Sequence, residues 1–251
     1  MGSKIGFSKQ EFIDIWGQTG YIEDFYSYQS GHLDAIVDIL SEYYNPNHTC
    51  MDIGCGGGLW TKKYLSPNFK KIVAMDILSK NNLSLLDNIE YIELDDRDYN
   101  CTGVENESID FAVSFGVFCH FPNSASQTYI NSVYNKLKPG GTGLIMFPDF
   151  RRHFEHSKRH FNAKEALLAL ITGGTRSKKT KLTCAAIVDD AEELSTNKKL
   201  QDRYRENDSC GGWFWYDMDT INGIFENSNF SKYEDVTPDG FRDCLMAFSK
   251  A

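Results

Sequence analysis

The chain has 251 residues, 41% hydrophobic and 24% charged, with a formal net charge of −9. That length can bury a sizeable core and fits one large α/β domain or a domain with a modest insertion. The negative charge argues against nonspecific nucleic-acid binding, which relies on neutralising phosphates, and no apolar run approaches the ~18 residues needed to span a bilayer.

Seven cysteines lie scattered at 50, 55, 101, 119, 184, 210 and 244. The number is odd, no pair has CxxC spacing, and no His/Cys spacing suits zinc, so no metal is expected. Several sit in apolar runs, where cysteine behaves as a small hydrophobe. A reducing cytoplasm is the expected setting. Met1-Gly2-Ser3-Lys4 lacks the apolar centre of a signal peptide.

In chain order, residues 8–44 read as helices. Phe12, Ile13, Ile15 and Trp16 give one apolar stripe; Leu33, Ile36, Val37, Ile39 and Leu40 give a second, at helical spacing. Between them lies an aromatic and polar segment, Tyr21 to Gly31. Asn45-Pro46-Asn47 breaks the pattern. An extended approach, His48-Thr49-Cys50, then leads into Met51-Asp52-Ile53-Gly54-Cys55-Gly56-Gly57-Gly58 and a helix over Leu59–Leu65. Strands are expected at Lys71–Asp76, Ile89–Asp95, Ile109–Phe115 and Gly143–Phe147. A helix over Tyr129–Leu137 is stopped by Lys138-Pro139-Gly140-Gly141. The alternation implies parallel pairing with right-handed crossovers. It is interrupted from Pro148 to about Gly212. Asp217 can cap a helix running to Asn227. Strands at Lys232–Val236 and Cys244–Phe248, joined through Pro238-Asp239-Gly240, suggest a closing hairpin.

A strand, a glycine turn and a helix start together make a nucleotide-binding loop. The backbone turns tightly where a Cβ would obstruct, and the N–H groups of the helix start face the ligand. The spacing is G-x-G-G-G, with Asp52 two positions before Gly54. Leu59 stands where a dinucleotide fingerprint needs its third glycine, which disfavours a nicotinamide oxidoreductase. A phosphate loop of the G-x-x-x-x-G-K-[ST] type is absent. Asp76 closes the second strand, 22 residues after Gly54. At that sheet edge it can accept hydrogen bonds from both ribose hydroxyls of an adenosine. Asp95 or Asp96, ending the third strand, can accept from the adenine amine; a solvated turn is the rival reading. Phe115 to His120 should lie opposite the glycine loop, and His120 is its most attractive ionisable group.

Met51–Gly58, Asp76, Asp95/Asp96, Glu107-Ser108-Ile109-Asp110-Phe111 and Lys136-Leu137-Lys138-Pro139-Gly140-Gly141 occur in an order that resembles class I S-adenosylmethionine-dependent methyltransferases. The likeness covers roughly residues 48–147 and the terminal hairpin. It implies an α/β, Rossmann-like, doubly wound seven-stranded sheet, mostly parallel, with an antiparallel last strand. It implies S-adenosylmethionine as cofactor and S-adenosylhomocysteine as product. The contacts expected are Asp52, Gly54, Cys55, Gly56, Asp76, Ile77, Asp95 or Asp96, and Phe115. The amino-terminal helices and the Tyr-rich segment look similar to the lid of small-molecule methyltransferases, with Tyr28 at the cofactor and Tyr21 at the acceptor; lid packing is the rival reading for each. The organisation expected is one domain: residues 1–45 a helical lid, 46–147 the cofactor-binding core, 148–212 a substrate-side insertion, and 213–251 the last helix and hairpin.

Function follows from that reading. The expected acceptor is a small polar metabolite such as a sugar, sugar phosphate or sugar nucleotide, methylated on oxygen in preference to nitrogen. The base expected is His120, ahead of His153, His156 and His160; packing or orienting the loop is the rival reading of His120. Arg151, Arg152 and His153 open a basic run that suits an anionic group on the acceptor, against a solvated basic face. No nucleic-acid or membrane partner is expected. An RNA or protein methyltransferase, or a non-catalytic cofactor-binding protein, is the alternative.

Overall fold

A computed structural model describes residues 30–78, 86–95, 98–121, 123–149, 151–152, 214 and 216–251. Seven strands make one sheet: β1 (Asn45–Ile53), β2 (Phe69–Asp76), β3 (Ile89–Glu93), β4 (Ile109–Ser114), β5 (Leu137–Phe147), β6 (Lys232–Asp235) and β7 (Cys244–Ser249). The spatial order is β3-β2-β1-β4-β5-β7-β6. Neighbours from β3 through β5 pair in parallel, and β7 runs antiparallel to both β5 and β6. This is the Rossmann-like, doubly wound sheet with a reversed last strand. Strand order changes direction between β1 and β4, the crevice where such sheets bind ligands.

The central strands read as near-continuous apolar runs because both their faces are covered. Met51, Ile53, Val73, Met75, Ile145 and Phe147 belong to one buried layer, together with Tyr129, Ile130 and Val133 of α2 (Asn123–Lys136) and Ile221, Ile224 and Phe225 of α3 (Met218–Glu226). Cys50, Ile72, Ala74, Leu144 and Met146 belong to the other, with Ile36 and Leu40 of α1 (Ser30–Ser41) and with Trp60 and Leu65. The helical stripe expected in α1 is present: Ile36 and Leu40 are fully buried, and Val37 and Ile39 are half-buried. Asp217 caps α3 as expected, its Oδ1 accepting the Thr220 N–H at 2.8 Å.

Several boundaries differ from the sequence reading. The Asn45-Pro46-Asn47 break opens β1 as well as following α1. Asn45 already pairs with Phe69, and the register shifts before Thr49, where Pro46 has no N–H to give the ladder. The helix expected at Leu59–Leu65 is mostly a widened turn, Thr61–Leu65, closed by the Ser66 N–H on the Thr61 carbonyl at 2.7 Å. α2 starts at Asn123, and β3 stops at Glu93. The Lys138–Gly141 turn does not separate α2 from β5. β5 begins at Leu137, directly after α2, and the turn is absorbed as an irregularity opposite Ile109–Phe111. Gly140 makes this possible with φ 77°, a value costly for other residues. Lys138 then reaches Asp110 at 2.8 Å, and Asp110 also accepts the Thr49 N–H at 2.8 Å. That carboxylate ties β1, β4 and β5 together at the end opposite the glycine loop.

Five cysteines among the described residues, Cys50, Cys55, Cys101, Cys119 and Cys244, are buried free thiols. Among the described residues no helix is long and apolar enough to cross a membrane. The helices expected before residue 30, and nearly all of the insertion expected over 148–212, lie outside the described residues.

Candidate functional site

The glycine turn is fastened to the end of β2. Gly54 and Cys55 both donate their N–H groups to the Met75 carbonyl, at 2.8 and 3.1 Å. Gly54 has φ 70°, and a Cβ there would come within 2.3 Å of Val117 Cγ2. Two constraints therefore require glycine: the left-handed backbone, and the close approach of the segment after β4. That approach brings the 115–120 segment and the glycine loop to the same sheet edge. Beside Gly57 an added Cβ would meet nothing within 4 Å, so the loop leaves open space there.

Asp76 closes the arrangement. It is buried, at 8% exposure, and its Oδ2 accepts the Gly56 N–H at 2.7 Å. Its Oδ1 accepts the Leu78 N–H at 2.9 Å. A carboxylate oxygen has two lone pairs and can accept more than one hydrogen bond, which is the chemistry a ribose diol needs. The Asp76 carbonyl accepts the Leu94 N–H at 2.8 Å, joining the end of β3 to the same corner. The Tyr91 hydroxyl, on β3, donates to the Leu78 carbonyl. Half-buried Ile77 follows Asp76 and packs on the α2/α3 side of the core.

Asp52 lies beneath this loop, buried at 6% exposure, and accepts the Thr61 hydroxyl at 2.6 Å. Burial pushes its carboxyl up to about 7; the Thr61 bond opposes the rise and the nearby Asp76 charge adds to it. The folded state therefore holds a proton that the unfolded chain releases between its ordinary 3.8 and about 7. Stability from this group is complete at acid pH and is lost as pH rises through that window, because the unfolded state then binds fewer protons. Asp52→Asn keeps an oxygen for Thr61 and removes the titration. Denaturant unfolding of the wild type should lose on the order of 2–4 kcal/mol more than this variant between pH 5 and pH 8. Parallel pH profiles for the two proteins would refute the assignment.

The other expected site residues fall as follows. Phe115 is half-buried, its ring 4.9 Å from that of Trp60. Asp95 is exposed just after β3, and its carbonyl accepts the Asp98 N–H at 3.1 Å. His120 is half-buried and ends a short 3-10 turn, Phe118–His120. Arg151 is exposed. Arg152 is engaged by carboxylates: its Nε lies 3.5 Å from Asp149, and its guanidinium bonds Asp235. Tyr21, Tyr28, Asp96 and His153 lie outside the described residues.

Residues that the sequence reading passed over crowd the same edge farther along the sheet. Asp149, just past β5, is 2% exposed and accepts the Arg151 and Arg152 N–H groups at 2.8 and 3.1 Å. Burial raises its carboxyl above the ordinary range, opposed by those two bonds and the Arg152 charge. Arg242 and Asp243, just before β7, are 5% and 3% exposed and paired to each other. Thr61 was also passed over. Only a residue at the foot of a helix nine positions past Asp52 marks it, and that spacing has no motif of its own.

An open α/β sheet whose switch point holds a glycine loop bonded to an acidic strand end defines an adenosine-type nucleotide site. The sequence matches the family profile described as a methyltransferase domain over residues 25–234. The chain belongs to that family, the class I S-adenosylmethionine-dependent methyltransferases. No curated protein matches it significantly. Among solved structures, it is similar to DhpI in complex with S-adenosylhomocysteine, with TM-score 0.59 and 14% identity, covering 96% of this chain and 93% of that one. A candidate S-adenosyl-L-methionine-dependent methyltransferase from Methanococcus maripaludis gives TM-score 0.53 and 18% identity, over 100% and 97% of the two chains. A protein from Pyrococcus horikoshii gives 0.55 and 16%, over 90% and 91%. At these identities the likeness concerns the fold.

Proposed function

We propose that this methyltransferase transfers the S-adenosylmethionine methyl group to a hydroxyl of a small polar metabolite carrying an anionic group, such as a sugar phosphate or sugar nucleotide. The observation that carries the cofactor half is the Asp76 carboxylate, which closes the glycine loop at the strand end where a ribose diol would be held. When bound, S-adenosylmethionine supplies a methyl already activated on a sulfonium. The protein must then bind, align and shield. Gly54, Cys55 and Gly56 shape the loop, Asp76 takes the ribose, and Ile77 lies beside the adenine. Asp95 or Asp96 takes the adenine amine. Asp52, and the main chain from Phe115, serve the amino-acid end with Tyr28. Holding the acceptor in line with the transferable methyl is worth roughly 7–11 kcal/mol of barrier. A hydroxyl nucleophile also needs a base, and His120 is assigned that role.

The acceptor half rests on the basic run. Arg151 is exposed after the carboxyl end of β5, and it is the arginine suited to an anionic acceptor; His153 and Tyr21 are the other residues given that role. Arg152 is bridged to Asp149 and Asp235 instead. The test is conversion of S-adenosylmethionine to S-adenosylhomocysteine with a panel of sugar phosphates, sugar nucleotides, uncharged polyols, amines and RNA. Turnover only with anionic hydroxy compounds is expected. Turnover with RNA or with amines alone would overturn the acceptor class.

A further inference from the structure

We infer that Asp243 is the acceptor-binding carboxylate of the methyl transfer, receiving a hydrogen bond on Oδ1 from an O–H or N–H donor of the acceptor beside the hydroxyl that becomes methylated, whose own proton goes to His120. The inference rests on the methyltransferase reading and specifies which residue meets the acceptor.

Two observations carry it. The first is position. Cys244 pairs with Phe147, so Asp243 lies alongside the residue that follows β5, past the carboxyl ends of the parallel strands. Its charge and that of Arg242 act on Cys119, and its charge also acts on Asp149. Cys119 is two residues beyond Val117, and Val117 is the residue packed on Gly54. Glycine loop, post-β4 segment and Asp243 thus follow one another across the sheet edge. An acceptor presented to the cofactor from the β5/β7 side meets Asp243.

The second is an incomplete set of bonds. Arg242 directs Nε, at 2.7 Å, and Nη2 at the same oxygen, Oδ2. Oδ1 is buried and has no hydrogen-bond partner among the described residues. A buried polar atom left unpaired is unfavourable by about 1–3 kcal/mol, and more when the group is charged. Such atoms are rare in folded proteins, and each calls for an explanation, a catalytic role, a bound ion or a water among them. The arginine neighbour bonds Oδ2 without occupying Oδ1. The oxygen is left as an acceptor for a donor brought in from outside. A carboxylate in this role selects donors, which both a hydroxyl and an amine supply.

Sinefungin tests this without knowledge of the acceptor. It is the S-adenosylhomocysteine analogue with a primary amine where the transferable methyl would project, so its ammonium enters the acceptor side. Calorimetric titration of the full chain with S-adenosylhomocysteine and with sinefungin gives a preference ratio. The wild type should favour sinefungin by about tenfold, and Asp243→Asn should reduce that ratio by at least about fivefold while holding S-adenosylhomocysteine affinity within about twofold. Asp239→Asn, an exposed change in the same loop, should leave the ratio unchanged. If Asp243→Asn does not fold, Asp243→Glu keeps the charge, displaces it, and should still shift the ratio by about threefold. A ratio unaltered by either variant, or a wild type with no preference, overturns the inference and leaves Oδ1 to a structural water. Absence of S-adenosylhomocysteine binding by the wild type is a different failure. It would remove the cofactor reading, and this inference with it.

Discussion

Asp76→Ala should lower S-adenosylhomocysteine affinity by roughly 100-fold or more, equivalent to about 3 kcal/mol. Two losses combine. The ribose loses a charged acceptor, and bonds to an ionised partner contribute about 1.5–3 kcal/mol each. The Gly56 and Leu78 N–H groups also lose the oxygens that hold them at 2.7 and 2.9 Å, so the loop loses its shape before any ligand arrives. Asp76→Asn separates the two. An amide keeps one accepting oxygen and presents an NH₂ to the other donor, so it holds at most one of the two backbone bonds. Its affinity should fall between those of wild type and alanine, and its thermal midpoint should fall as well. The checks are calorimetric titration and thermal unfolding of both variants. Wild-type affinity in Asp76→Ala would remove Asp76 from the site.

The second large effect is expected at His120. If it accepts the proton from the acceptor hydroxyl, His120→Ala should lower kcat by about 10²- to 10⁴-fold. S-adenosylhomocysteine affinity should change little, because the 3-10 turn is closed by backbone bonds, His120 N–H to the Val117 carbonyl at 2.9 Å among them. Single-turnover methyl transfer, with the affinity measured alongside, separates the two quantities. Turnover within a few-fold of wild type would end the base assignment and favour a nucleophile that needs no deprotonation.

The parts of the fold readable in the sequence were those where one local signal carries one consequence. Buried parallel strands need apolar runs on both faces, so β2, β4 and the second half of β5 stood out. Gly54 and Asp76 were readable because a tight turn and a strand-end carboxylate recur at fixed separation in sheets that bind nucleotides. Pro46 and the Pro139-Gly140-Gly141 stretch misled for the opposite reason. Both are breakers in isolation, and both are accommodated inside strands by a register shift that depends on the neighbouring strand.

The acceptor side was less legible. Arg242 and Asp243 are adjacent charges in the connection between two strands, a pattern that usually means solvent. In the fold they are buried, at 5% and 3% exposure, in the connection that leads into β7 beside the end of β5. Arg152 was read with Arg151 as one basic run. The backbone bonds to Asp149 turn that segment so that Arg151 is exposed while Arg152 meets Asp149 and Asp235. Asp52 was visible as part of the glycine motif, but its raised protonation comes from burial and from the nearby Asp76 charge, against the opposing Thr61 bond, none of which a linear motif encodes.

A calorimetric titration of the intact wild-type chain with S-adenosylhomocysteine, with NAD as comparison, bears most directly on the claim that the glycine loop and Asp76 hold one adenosyl group. Binding at a single site with a dissociation constant on the order of micromolar, and no comparable binding of NAD, is the expected result. No binding of S-adenosylhomocysteine at millimolar concentration, or tighter binding of NAD, would contradict it.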